Sequence, residues 1–82
     1  MHHHLDLTLD SRDPSALQRV LVLCGARRCA VTDLTFRRRP TQTRLSLSFE
    51  ATPQHARVFA ERARGLVGVT EVVAAAAPVP AP

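Results

Sequence analysis

Few side chains in this sequence have the type and spacing for covalent or metal chemistry. Cys24 and Cys29 are separated by four residues, whereas thiol redox pairs and zinc knuckles place two residues between their cysteines. Cys24 falls on an apolar helix face, where a thiol behaves as a small hydrophobe, and both read as reduced cysteines. His2, His3 and His4 form a run able to meet a metal ion, but such a run also reads as a shortened purification tag. Ser11 and Ser15 have no histidine nearby in the chain to activate them as nucleophiles. His55 stands alone in a helical stretch and reads as a solvent-facing residue. Arg37, Arg38 and Arg39 sit in a loop from which they could grip phosphates. No catalytic set emerges, and no cofactor or resident metal is expected.

Composition narrows the function classes further. Eighty-two residues support one domain with one core. Trp and Tyr are absent and Phe occurs three times, so leucine, valine and alanine must fill that core. A core of this size contributes about 3–5 kcal/mol of net stability, which makes self-association or docking on a larger partner the expectation. All eleven cations are arginine and the net charge is +4, but they are spread over two helices and a loop, as on a solvated basic surface. No signal peptide and no apolar run long enough to span a bilayer is present, so the expected setting is cytoplasmic, without a membrane.

The elements that must position these side chains follow from periodicity. Residues 5–10 alternate, with Leu5, Leu7 and Leu9 on one side and Asp6, Thr8 and Asp10 on the other. One packed face and one wet face is the pattern of an antiparallel sheet. Asp13 reads as an N-cap and Pro14 as a first helical residue. The helix then carries an apolar stripe of Leu17, Val20, Leu21 and Cys24 and stops at Gly25. Val22 and Leu23 lie off that stripe, either as flank packing or as a contact surface.

A second strand over 30–37 slips in its alternation. A bulge near Thr32 and Asp33 would bring Val31, Leu34 and Phe36 to one face, and bulges favour sheet edges. Residues 43–51 alternate again with Leu45, Leu47 and Phe49 inward. Thr52 caps and Pro53 starts a second helix, whose stripe is Ala56, Phe59, Ala60 and Ala63, continued by Leu66. A last strand spans 69–74. Residues 1–4 read as a tag or disordered start, 5–74 as the domain, and 75–82 as an Ala/Pro-rich tail.

The order β-α-β-β-α-β is the α+β, ferredoxin-like arrangement. Right-handed crossovers place both helices on one face of a four-stranded antiparallel sheet, with the first and third strands central. Ferredoxin-like RNA binders stack bases on aromatics of the open face, and no aromatic falls there, which disfavours nucleic acid as a partner. Small metal carriers of this topology use a Cys-x-x-Cys after the first strand, and residues 11–15 contain no cysteine.

Three runs, DPSALQRV (13–20), VTDLTF (31–36) and LVGVTEV (66–72), resemble the small regulatory subunits of acetohydroxyacid synthase (acetolactate synthase), which carry an ACT domain. The similarity covers roughly 5–73, nearly the whole ordered chain, and is greatest to the short, single-domain version. It implies a non-catalytic module that forms a homodimer through its sheet edges and docks on a synthase catalytic subunit. A stand-alone amino-acid-sensing dimer of another pathway is the alternative. The resemblance also implies a small amino acid at the dimer seam, held by Ser11, Arg12, Asp13, Pro14 and Ser15 of one chain. Ala30, Val31 and Thr32 of the other chain complete that site. Exposed amides at a helix N-terminus suit its carboxylate. Ser15 and Arg28 stand where ligand-binding members usually carry glycine, and a side chain at Ser15 crowds the carboxylate pocket.

Overall fold

Alternating leucines build the sheet and the two apolar helix stripes cover it. In the computed structural model, which describes residues 1–75, the elements are β1 (His2–Asp10), α1 (Ala16–Ala26), β2 (Ala30–Arg38), β3 (Gln42–Glu50), α2 (Pro53–Arg64) and β4 (Val69–Ala75). The strands form one antiparallel sheet in the order β2-β3-β1-β4. β1 and β3 are therefore central, and β2 and β4 are edges. Leu5, Leu7 and Leu9 of β1 and Leu45, Leu47 and Phe49 of β3 form the buried floor, joined by Val20 and Cys24 of α1 and Phe59 and Ala63 of α2. Phe49 and Phe59 meet edge to face with ring centroids 5.4 Å apart, an arrangement aromatic pairs favour. No helix among the described residues is long and apolar enough to cross a membrane.

The bulge expected in β2 lies at Thr32: Val31 pairs with Phe49 and Asp33 with Ser48, so Thr32 has no partner in the ladder. The extra residue resets the alternation and puts Val31, Leu34 and Phe36 opposite Phe49, Leu47 and Leu45. Thr52 caps α2 as expected, its hydroxyl accepting from the His55 N–H at 3.2 Å.

Four expectations need correction. First, the chain enters the sheet at His2, so residues 2–4 are strand and part of the domain. The period-two pattern simply continues backward: His3 lies on the packed face, stacked on Phe49 at 5.5 Å, and His2 and His4 lie on the open face. Because the three imidazoles alternate between faces, they do not converge on one ion. Second, Ala75, expected in the tail, belongs to β4; the rest of the Ala/Pro-rich stretch, 76–82, lies outside the described residues.

Third, α1 starts at Ala16, with Ser15 at the N-cap, so Asp13 does not cap it. The Asp13 carboxylate instead accepts from the Ser15 N–H at 3.1 Å, closing an Asx turn ahead of the helix. Fourth, Leu21 is 40% exposed. The buried line of α1 is Ala16, Val20 and Cys24, and Leu21 lies about 100° around the axis from Val20 at its centre. Leu17 and Leu23 flank the core on either side.

α1 runs one residue past Gly25 and ends in a Schellman motif. The Cys29 N–H bonds the Cys24 carbonyl at 3.0 Å and the Arg28 N–H bonds the Gly25 carbonyl at 3.4 Å, the paired closing bonds of that motif. Its left-handed residue is Arg28, at φ 56°. A non-glycine residue there costs about 1–2 kcal/mol, offset in part by the larger unfolded-state entropy of glycine. Arg28→Gly is therefore expected to raise stability by about 0.5–1 kcal/mol, read as a higher denaturant midpoint with an unchanged slope.

The motif also sets Cys24 and Cys29 at the two positions whose side chains cover its apolar side. Both are free thiols and buried. Burial, with Cys29 close by, pushes the Cys24 thiol up to about 12, and burial raises that of Cys29 as well. Neither is a ready thiolate nucleophile. Both are expected to resist a thiol-reactive disulfide reagent near pH 8 and to react together once the chain is unfolded. Rapid labelling of the native protein would contradict that placement.

Candidate functional site

The loop between β1 and α1 is held rigidly, and its charged side chains are mostly engaged within the chain. The Asp10 carboxylate accepts from the Arg12 N–H at 2.9 Å and from its guanidinium at 3.2 Å. These hydrogen bonds from Arg12 hold the Asp10 carboxyl below its ordinary range. Arg12 is thus occupied by Asp10 and does not reach toward β2. The Ser11 hydroxyl donates to the Arg39 carbonyl at 2.7 Å and lies 2.8 Å from the Thr43 hydroxyl, tying the loop to the β2–β3 hairpin. Asp13 pairs with Arg19 of α1, and Arg19 also donates to the Val67 carbonyl at 3.0 Å. Gly68 completes the anchor: its carbonyl accepts from the Asp10 N–H at 2.8 Å.

The N-terminus of α1 is left open. Ser15 makes no side-chain cap bond, and no acidic residue lies in the first turn. The Ser15 N–H is taken by the Asp13 carboxylate and the Ala16 N–H by the Asp13 carbonyl at 3.3 Å, so the amides of Leu17 and Gln18 are the ones that keep an affinity for an anion. Pro14 and Ser15 are exposed, and a hollow of about 130 Å³ opens beside them, lined by Leu9, Ser11, Pro14, Leu17, Phe36 and Arg38 among others. It lies on the side of edge strand β2.

Ala30, Val31 and Thr32, the other half of the expected site, are not brought to this hollow within one chain. They stand at the start of β2, beside Phe49 and Glu50, whereas Arg38 at the far end of β2 lies beside Thr43. All three are exposed on the unpaired edge. Ser11 to Ser15 form one cluster, and Ala30 to Thr32 another at the opposite end of the strand.

A further polar cluster lies on the open face. His4 Nδ1 is 2.9 Å from the Ser48 hydroxyl, His4 Nε2 is 3.2 Å from Asp6, and the Ser46 hydroxyl donates to Asp6 at 2.8 Å. The residue types are those of a hydrolase triad, but Ser48 is 7% exposed and the neighbouring amides belong to the strand ladder. That leaves no pair of donors aimed at an oxyanion, so the cluster is a cross-strand network. Extending the alternation of β1 back to His4 is the sequence signal that would have found it.

Comparison with known proteins gives a structural answer only. No protein-family model and no curated protein match the chain. The ACT domain from the GTP pyrophosphokinase of Chlorobium tepidum superposes with a TM-score of 0.78 at 8% identity, over 92% of this chain and 97% of that one. The chain has the fold of an ACT domain. The acetolactate synthase small subunit of Thermotoga maritima shares the ACT fold at a TM-score of 0.77 and 20% identity, over 98% of this chain. The chain spans 50% of that subunit's length. A homoserine dehydrogenase from Thiobacillus denitrificans also matches, with a TM-score of 0.75, 13% identity and 89% of this chain, which spans 16% of the dehydrogenase.

Proposed function

We propose that this chain is a non-catalytic regulatory module that pairs through β2 and holds a small amino acid at the seam. The observation that carries this reading is the uncapped N-terminus of α1 beside a small hollow next to an unpaired edge strand. A two-fold pairing centred on Leu34, the middle residue of the nine-residue β2, would set Ala30 opposite the partner subunit's Arg38. The two half-sites, separated within one chain, would then meet at each end of the seam. The ligand carboxylate would lie at the first-turn amides of Leu17 and Gln18, beside the exposed Pro14 and Ser15, with edge backbone groups of Ala30, Val31 and Thr32 of the other chain holding its amine. Ser11, Arg12 and Asp13 act by fixing the loop, since their side chains are engaged internally.

The finer reading is the small subunit of acetohydroxyacid synthase acting in branched-chain amino-acid biosynthesis in the cytoplasm. Its support is the short runs quoted above together with the likeness to the Thermotoga small subunit. The Ser15 side chain narrows the carboxylate site, so an activating subunit with weak or absent amino-acid response fits as well as a feedback sensor. Two measurements test the proposal. Sedimentation equilibrium is expected to give a dimer, and co-purification with a synthase catalytic subunit is expected to change that enzyme's activity. A monomer at high concentration removes the seam, and a dimer without effect on any synthase leaves only the amino-acid-sensing alternative. A melting-temperature screen over the twenty amino acids then decides that alternative by mass action.

A further inference from the structure

We infer that the open face of the β2–β3 hairpin is an anion site for a small ligand bearing an oligophosphate group. Arg37 of β2 and Arg44 of β3 are directly opposed in the sheet, and both line one side of it with Arg39. Like charges opposed across a strand pair are destabilising, and a chain with a marginal core has little reason to place them there without a counterion. Among the described residues none of these three arginines forms an ion pair; the arginines that do are Arg12 and Arg19. They surround a cleft of about 410 Å³ whose remaining walls are Thr35, Gln42 and Ser46, all neutral hydrogen-bonding side chains. That volume is within the range of small-ligand pockets.

The donors favour phosphate. Three guanidinium forks, two from adjacent strands and one from the turn between them, can each give paired hydrogen bonds to phosphoryl oxygens. The opposed pair can share one phosphate, and Arg39, just past the end of β2 and lining the same cleft, can take the next. Carboxylates bound the site on its other side, with Asp6 and Glu71 lining the adjoining hollow toward β4. Negative charge is therefore drawn to the hairpin and repelled from the sheet centre. A nucleic-acid strand fits less well, because the walls of this cleft carry no aromatic ring for base stacking. The site is distinct from the proposed amino-acid site: it lies on the open face of the sheet, opposite the hollow lined by Phe36 and Arg38.

The test is calorimetric titration of the full chain with tripolyphosphate at low ionic strength, with inorganic phosphate and a single-stranded oligonucleotide as further probes. Saturable one-to-one binding is expected, weaker by about tenfold or more when two charge-assisted contacts are lost in Arg37→Gln/Arg44→Gln. Arg57→Gln, on the exposed side of α2, is expected to bind as the parent does. Removing the opposed charges should not lower the melting temperature of the free protein, so lost binding in the double variant is not lost folding. No saturable heat, equal affinity in the double variant, or equal weakening by Arg57→Gln would each overturn the inference, the last by showing a response to net charge alone. Tighter binding of the oligonucleotide than of tripolyphosphate would overturn the small-ligand assignment. None of these outcomes depends on the chain being a dimer or an amino-acid sensor.

Discussion

Leu47→Asp is expected to leave the chain unfolded at ordinary temperature. Leu47 is fully buried at the middle of β3, between Leu5 on one side and Leu34 on the other. The substitution removes an apolar side chain worth about 2–5 kcal/mol in a filled core. It also puts a carboxylate where no cation can reach it, which adds several kcal/mol more or forces the group to stay protonated. Against about 3–5 kcal/mol of total stability, either contribution nearly suffices. Circular dichroism should show loss of the sheet, with no cooperative melting transition.

The matching change on the opposite face of the sheet distinguishes burial from strand disruption. Ser46 is the obvious choice from alternation alone, but its hydroxyl donates to Asp6 at 2.8 Å, so Ser46→Asp would set two carboxylates together. Thr35 is the better control, exposed on β2 and opposite Ser46. Thr35→Asp is expected to cost about 1 kcal/mol or less, the range of strand propensity. Equal damage from Leu47→Asp and Thr35→Asp would mean that the open face is covered in the folded protein.

That contrast also marks where sequence reasoning succeeds. The leucines of β1 and β3 report their faces directly, because a strand has only two and every second residue must choose one. The slip at Thr32 was legible for the same reason: only a bulge keeps Val31 and Phe36 on one side. α1 was harder. Eight apolar residues in eleven leave several stripes nearly equal, and the choice of Ala16, Val20 and Cys24 over Leu21 comes from tertiary packing. Small Ala16 lets the helix start close against Gly68, where a larger residue would hold it off.

The loop ahead of α1 and the edge strand β2 were legible in the sequence; the partners their side chains take were not. Spacing can mark a loop before a helix, but it cannot show that Ser11 is turned to Arg39 or that Arg12 is taken by Asp10, since those partners are set by hairpin geometry. Nor can it separate Asp13 as a helix cap from Asp13 as an Asx turn two residues earlier, because both use the same side chain on nearby amides. The arginine row on the hairpin was visible as composition. Its meaning depends on register, which decides that Arg37 opposes Arg44 while Arg38 turns to the other face.

Gly68→Ala tests the anchor beneath the candidate site. Gly68 has φ 90°, and a Cβ there would stand 2.7 Å from the Asp13 carboxylate and 2.8 Å from the Ala16 methyl. The backbone cost is about 1–2 kcal/mol for a residue in a left-handed conformation, and overpacking adds about 1–3 kcal/mol. Neither neighbour yields easily: Asp13 is held by Arg19, and Ala16 is buried in the core. The expected result is a loss of about 2–5 kcal/mol, seen as a fall in melting temperature of about 8 °C or more at about 4–8 °C per kcal/mol. Gly68→Asn separates the two causes, since asparagine tolerates a positive φ but still carries a Cβ. If the contact with Asp13 and Ala16 dominates, Asn is as damaging as Ala; if backbone strain dominates, Asn recovers much of the loss. Adding Asp13→Ala to Gly68→Ala should restore little, because Ala16 still blocks the Cβ. Near-parental stability of Gly68→Ala would mean that the β1–α1 loop is not seated on this glycine, and that its open helix amides are held in place by something else.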